Sequence, residues 1–213
     1  MINILIADDH AIVRDGLKQI LASTGDLVAG GEARTGNEVL QLVREAKWDL
    51  LLMDMSMPGR SGIELIKLVK AEQPGLPILV LSMHQEHEYA VRTMRAGAAG
   101  YLNKDSASEL LVTAIRKVVA GGVFVSDNAV ELLARETMRG SDAPPHTLLS
   151  DREFQIFNLI VQGNSVTEIA AQLSLSVKTV STHKTRVLEK MKLANQADLV
   201  RYAVAHKLLD VPG

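Results

Sequence analysis

"DLLLMDMSMPGRSG", residues 49–62, carries four apolar residues, Leu50 to Met53, straight into a carboxylate, Asp54. Pro58, Gly59 and Gly62 follow within eight positions. A continuous apolar run fits a strand covered on both faces, and such strands belong to parallel sheets packed between helices. Here the run ends on an acid at the rim of the sheet, beside a loop shaped by proline and glycine. That makes the Asp54 carboxylate the first candidate for chemistry.

The same pattern recurs on both sides. Apolar runs at 2–7 ("INILIA"), 27–33 ("LVAGGEA"), 77–82 ("PILVLS") and 100–103 ("GYLN") alternate with helical periodicity at about 11–23, 36–46, 62–72 and 86–96. A fifth helix is expected over about 106–120. Five strand–helix units predict an α/β domain over residues 1–120, a doubly wound, five-stranded parallel sheet of the flavodoxin-like kind. Residues 121–148 read as a linker, with one helix near 127–138 and then "GSDAPPHT" (140–147), rich in turn formers. Over 149–213 short-period amphipathicity returns in four helices, about 150–162, 165–173, 176–191 and 195–206. This predicts a second, all-α domain. Gly163 should stop its first helix and Ser176 should cap its third.

Composition bounds the function. The chain has 213 residues, 47% apolar and 23% charged, which suits globular domains and not disorder. It has no cysteine, so disulfides and thiolate metal sites are excluded. The opening "MINILIADDH" lacks a basic leader and reads as a first strand. No apolar run reaches the roughly 18–20 residues that span a bilayer. The expected compartment is the cytoplasm, with no membrane partner. The net charge of −2 is uneven: residues 1–120 hold 13 basic against 15 acidic side chains, whereas 176–192 hold five against one. That basic stretch points to an anionic partner for the C-terminal part.

In an open parallel sheet, ligands collect at the carboxyl ends of the strands. Asp8 and Asp9 close the first run, Asp54 the third, Ser82 the fourth and Lys104 the fifth. Each alone has an ordinary reading as a turn acid, a turn hydroxyl or a solvated lysine. As a set they differ. Three carboxylates in one crevice repel, and a hard divalent cation such as Mg²⁺ relieves that repulsion. A metal seat, a hydroxyl and an ammonium around one carboxylate are the equipment of phosphoryl transfer. Asp54 is then the nucleophile that becomes an acyl phosphate, with Mg²⁺, Ser82 and Lys104 holding the phosphoryl oxygens.

With "ADDH", "LMDMSMPGRSG", "VLS" and "YLNK" in order at four strand ends, residues 1 to about 120 resemble the receiver domain of two-component response regulators. The resemblance implies that Asp54 accepts a phosphoryl group from a phosphohistidine on a sensor histidine kinase. It implies direct Mg²⁺ ligation by Asp9 and Asp54, ligation by Asp8 through water, and a backbone carbonyl from Ser56. Tyr101 matches the aromatic that turns inward when Ser82 moves toward the phosphate. One departure is Asp105 after Lys104, where many receivers carry proline; it removes the prospect of a cis bond there but not the lysine's role.

The second constellation is "SVKTVSTHKTRVLEKMKL" (176–193). At 100° per residue Val177, Val180, Val187, Leu188 and Met191 share a stripe, opposite Lys178, Thr182, Thr185, Arg186 and Glu189. The Lys, Arg and Thr face suits a major groove, although a solvated amphipathic helix is the plainer reading of such a pattern. Lys184 lies near the stripe, its stem over the domain and its head toward a phosphate. "SVTEIAAQLSL" would support it, with Ala170 and Ala171 permitting close approach. Together with "LSDREFQIFNLIVQGN" and the "KMKL" end, about 60 residues resemble the LuxR-type helix-turn-helix domain, matching at Leu149, Arg152, Glu153, Gly163, Glu168, Ile169, Ala170, Leu173, Val177, Thr179, Val180 and His183. Val166 and Thr167 depart from its usual Asn-Lys, leaving only the Thr167 hydroxyl for one phosphate contact. The expected DNA-facing residues are Lys178, Thr179, Ser181, Thr182, Lys184, Thr185 and Arg186.

A receiver joined to this domain resembles the NarL/FixJ class of response regulators. That implies a transcription regulator and not an enzyme. Its expected partners are a kinase, an inverted-repeat DNA site, RNA polymerase and, when phosphorylated, a second copy paired through the last helix. A phosphohydrolase with an aspartyl nucleophile is the rival, but its second acid usually stands two residues on, where this chain has Ser56. An adaptor that works through protein contacts alone is the third reading. His84 and His87, three apart, lack a third ligand nearby and read as loop histidines. Met53, Met55 and Met57 read as strand packing and loop cover.

Overall fold

The computed structural model describes residues 1–57, 62–83, 86–126, 129–131, 144–206 and 208. The sequence readings at Pro58, Gly59, His84, the side chain of His87, most of the 127–138 helix and residues 140–143 lie outside that set. The chain divides into two compact units, Met1–Leu133 and Ala134–Gly213.

The first unit alternates strands and helices: β1 (Ile2–Ala7), α1 (Ala11–Ala22), β2 (Leu27–Ala33), α2 (Gly36–Glu45), β3 (Leu50–Asp54), α3 (Gly62–Glu72), β4 (Ile78–Ser82), α4 (Glu86–Arg95), β5 (Gly100–Asn103) and α5 (Ala107–Val119). The strands form one parallel sheet in the order β2-β1-β3-β4-β5. The continuous apolar runs have a direct cause. Leu5, Leu51, Met53, Ile78, Val80 and Tyr101 pack with α2, α3 and α4 on one face. Ile4, Ile6, Leu50, Leu52, Leu79, Leu81 and Leu102 pack with α1 and α5 on the other. Since successive side chains leave a strand on opposite sides, a sheet covered twice needs apolar residues at every position. Each buried leucine is worth about 1.5–3 kcal/mol, so the strands that deliver the crevice acids are also the firmest part of the unit.

Helix ends follow sequence chemistry. Thr35 caps α2 by accepting from the Glu38 N–H, and Glu38 accepts from the Arg34 N–H in return. A 3-10 turn, Lys104–Ser106, leads from β5 into α5. Residues beyond 120 continue the first unit: Phe124 pairs with Gly100, its carbonyl accepting from the Tyr101 N–H at 2.8 Å.

The second unit holds a 3-10 turn, Pro145–Leu148, then α6 (Asp151–Val161), α7 (Val166–Gln172), α8 (Val177–Met191) and α9 (Gln196–Ala205). Ser150–Glu153 and Ser165–Glu168 both form reciprocal capping boxes, and Ser176 and Asn195 cap α8 and α9. Gly163 ends the first helix in the left-handed region at φ +95. The end of the presumed linker is built in: His146 is buried and its Nδ1 lies 2.8 Å from the Tyr202 hydroxyl of α9. Among the described residues no helix is long and apolar enough to cross a membrane.

Candidate functional site

The sheet brings the strand-end residues of the first unit together. Asp8, just past β1, is 1% exposed and Asp54, closing β3, is 4% exposed. The Lys104 ammonium donates to Asp8 Oδ2 at 2.7 Å and stands 2.9 Å from Asp54 Oδ1. Three residues from three separated segments therefore meet at one point. The Ser56 N–H donates to Asp54 Oδ2 at 3.2 Å and the His10 N–H to Asp8 Oδ1 at 2.8 Å. Ser82, closing β4, and Tyr101, on β5, are both buried to 1% exposure, with the tyrosine turned into the core on the α2–α4 face.

Burial raises the Asp54 pKa above the usual carboxylate value; the Lys104 charge and hydrogen bond pull it back, and Asp8 pushes it up again. For Lys104, burial works against the charge, but the hydrogen bond to Asp8 and the charge of Asp54 outweigh it and hold the ammonium above its usual pKa. Lys104 is thus the cation that both buried acids share.

Asp8 and Asp54 share the one ammonium, and Asp9 adds a third carboxylate beside Asp8. Oδ1 of Asp9 is a buried acceptor with no hydrogen bond: His10 Nδ1 lies 2.9 Å away, but not in bonding geometry. Asp8, Asp9 and His10 place ligand atoms within 4.8 Å of one another. Carboxylate oxygens gathered around one ammonium, one of them orphaned, fit a hard divalent cation. The Ser56 side chain is exposed at the same mouth.

Sequence reasoning missed Arg14. It takes a buried position on α1 with Leu17 and Leu21, and its Nη1 donates to the main-chain carbonyl of Asp8 at 2.8 Å. The available signal was a cation standing on the apolar stripe of an amphipathic helix.

In the second unit α8 turns Lys178, Ser181, Thr182, Thr185 and Arg186 to solvent, with Thr179 and Lys184 half-buried. Among the described residues Lys178 and Arg186 make no ion pair, so both charges are available to an anion. Thr182 and Thr185 donate to the carbonyls of Lys178 and Ser181, and they must rotate to donate elsewhere. The expectations for three residues change. Lys184 Nζ donates to Gln196 Oε1 on α9 at 2.8 Å, so its head is tied to the domain and does not project freely. Val177 does not join the apolar stripe; it is 49% exposed because the first turn of α8 lies beyond the packed seam, which uses Val180, Val187 and Met191. Ala171 is likewise exposed, and only Ala170 is buried on α7. His183 is half-buried with Nδ1 unpartnered, and burial followed by the Arg186 charge lowers its pKa.

With this geometry in hand, comparison with known proteins is specific. Residues 4–116 match the response regulator receiver domain, and residues 147–203 match the bacterial regulatory proteins of the luxR family. The response regulator GacA of Pseudomonas aeruginosa is 37% identical over 211 residues, covering 99% of both chains. A structure of the RcsB response regulator of Salmonella typhimurium aligns with a TM-score of 0.72 at 29% identity, covering 96% of this chain and 97% of that one. The two-component response regulator RcsB in complex with DNA aligns at a TM-score of 0.60 and 29% identity, covering 96% and 98%.

Proposed function

The chain belongs to the response regulators of the NarL/FixJ class, a receiver joined to a LuxR-type domain, and from that membership we propose that phosphorylation of Asp54 governs binding of its second unit to DNA. The observation that carries this reading is the Lys104 ammonium held between the Asp8 and Asp54 carboxylates, on a chain whose α8 displays Lys178 and Arg186 with no ion pair among the described residues.

In the transfer, an oxygen of Asp54 attacks the phosphorus of a kinase phosphohistidine. The P–N bond breaks, the imidazole nitrogen keeps the electron pair and takes a proton, and the aspartate becomes an acyl phosphate. Asp9, Asp54, the Ser56 carbonyl and, through water, Asp8 would hold Mg²⁺, which supplies charge neutralisation at the phosphoryl oxygens. Lys104 is already at the nucleophile and needs only a small shift from Asp54 Oδ1 to a phosphoryl oxygen. The Ser82 hydroxyl donates to another phosphoryl oxygen, and the inward Tyr101 fills the space behind it. The acyl group thereby stabilises one arrangement of the β4–α4 and β5 rim, and a ligand shifts an equilibrium by its differential affinity for the two states.

The readout is α8 in a major groove. Lys178 and Arg186 would meet phosphates or base edges, with Thr179, Ser181, Thr182 and Thr185 within reach of the backbone and Lys184 fixed at the rim. RcsB, a relative of known structure, is found in complex with DNA. We assign residues 1–120 to the receiver, 121–148 to the connector and 149–213 to the DNA-binding domain, the connector being docked at Phe124 on one unit and at His146 on the other. The partners are a sensor histidine kinase, an inverted-repeat duplex, a second copy of the chain and RNA polymerase, all in the cytoplasm. The family is one of regulators, and we assign the chain no substrate turnover.

The test is anisotropy of a labelled duplex recovered by genomic footprinting, with acetyl phosphate and Mg²⁺. The parent should bind more tightly once phosphorylated and Asp54→Asn should not respond. A response of Asp54→Asn equal to the parent's would remove Asp54 from the mechanism.

A further inference from the structure

We propose that Arg14 is a positioning residue for the acidic crevice: its guanidinium, clamped between the main-chain carbonyl of Asp8 and the carboxylate of Glu32, holds the Asp8–Asp9 pair facing Asp54. This inference rests on the reading of that crevice as a phosphoryl and Mg²⁺ site.

Arg14 lies on α1, 5% exposed. Its Nη1 donates to Asp8 O at 2.8 Å and its Nε to Glu32 Oε2, on β2, at 2.9 Å. Glu32 is held from its other oxygen by Lys18 Nζ at 2.7 Å, and that ammonium also pairs with Asp15 at 2.7 Å. A cation is costly to bury, and an ion pair of this kind is poor grounds for stability alone. Its geometry is what stands out. The fork of a guanidinium can satisfy two acceptors in one plane, and here one of them is the backbone of a crevice acid.

Asp8 is restrained on every acceptor. Arg14 holds its carbonyl, the His10 N–H its Oδ1 and Lys104 its Oδ2. Two of those partners are at the crevice itself. The Asp8 N–H already donates to the Ala33 carbonyl of edge strand β2 at 3.1 Å; Arg14 is the only described side chain that ties the Asp8 carbonyl to that strand, through Glu32. Without it the N–H bond to β2 remains, but the carbonyl of Asp8 loses its donor. The peptide that aims Asp9, whose Oδ1 has no hydrogen bond of its own, is then free to turn. Residues that orient first ligands typically change metal affinity by about 10–100-fold when replaced. Lysine does not reproduce the clamp, because the guanidinium reaches Asp8 O and Glu32 from two separate nitrogens in one rigid plane, whereas an ammonium is one donor centre on a shorter, flexible stem.

The experiment uses the full chain. Mg²⁺ binding is measured by titration calorimetry, and phosphoryl incorporation from acetyl phosphate at saturating Mg²⁺, for the parent and Arg14→Lys. Arg14→Lys should weaken Mg²⁺ binding at least about tenfold while the rate at saturating Mg²⁺ falls less. A merely structural role would lower the unfolding midpoint and leave the Mg²⁺ affinity of the folded protein unchanged. An affinity within twofold of the parent's in folded Arg14→Lys overturns the proposal. A parent that binds no Mg²⁺ overturns instead the reading of the crevice. Should Arg14→Lys not fold, the Arg14 Nε–H resonance of the parent decides. Its solvent exchange should slow as Mg²⁺ saturates the crevice, and an unchanged shift and exchange rate would overturn the proposal.

Discussion

Replacing Lys104 by methionine keeps the stem of the side chain and removes only its charge. Asp8 and Asp54, almost fully buried, then face each other without their shared cation. Breaking a buried pair by removing one partner costs about 3 kcal/mol or more. The cost has a ceiling, since the crevice can take up a proton. Protonating a carboxylate with an ordinary value of 3.8 at pH 7 costs about 1.4 kcal/mol per pH unit, or about 4.4 kcal/mol. At pH 5.5 the same ceiling falls to about 2.3 kcal/mol. The sign follows from the raised pKa of Asp54. A carboxylate whose folded value exceeds its unfolded one contributes stability that is present below 3.8 and lost as pH rises through the folded value. Removing Lys104 raises that folded value further, so the deficit of the variant grows from acid toward neutral pH. Trp48, the single tryptophan, lies in the first unit and donates its Nε1–H to the Leu42 carbonyl, so urea unfolding followed by its fluorescence reads this unit alone. The expected result is a loss of about 3 kcal/mol at pH 7 that shrinks at pH 5.5 and shrinks again on adding Mg²⁺. A variant as stable as the parent at pH 7, or one whose deficit is no smaller at pH 5.5, would refute this account of the crevice.

In the second unit the buried Glu153 is pushed up by burial, but its hydrogen bonds to Lys190 and Ser150 outweigh that and lower its pKa below 4.5. Its stabilisation is therefore present above 4.5 and lost as pH falls through the folded value. Lys190→Met should make acid loss of helical circular dichroism begin at a higher pH, and coincident acid titrations would contradict the pairing. Lys178→Ala and Arg186→Ala should each lower the slope of log affinity against log salt by about 0.9 per DNA-bound subunit if each neutralises a phosphate. An unchanged slope would take that side chain off the phosphates. Lys184→Ala should change affinity less than either, because its ammonium is already engaged by Gln196.

The sheet was legible because its causes are local and repeated. A strand covered on both faces must be apolar throughout, a rule that β1 from Ile4, β3 and β4 obey up to their terminal polar residues and edge strand β2, with Glu32, does not; the same runs placed Asp8, Asp9, Asp54, Ser82 and Lys104 at one rim. One helix start was legible directly: Ser176, read as the cap of the third helix of the second unit, accepts from the Thr179 N–H at the start of α8. What escaped has a common cause: it depends on which neighbour a side chain meets. Val177 has the spacing of a core residue, but it stands in the first turn of α8 and is 49% exposed, and burial on that helix begins at Val180. Lys184 has the character of a phosphate ligand, but Gln196 lies twelve residues on and across a turn. Arg14 reads as a surface cation until the Asp8 carbonyl and Glu32, brought in by β1 and β2, close around it. His146 sits in a stretch whose prolines announce a linker, and its packing is against Tyr202, 56 residues away.

The most direct measurement is chemical. The protein is incubated with Mg²⁺ and acetyl phosphate, the acyl phosphate is reduced with borohydride to homoserine, and the modified residue is located by peptide mass spectrometry. The account predicts homoserine at position 54, with none at positions 8 or 9. Label on another residue, or phosphate stable to borohydride on a hydroxyl such as Ser56 or Ser82, would contradict it.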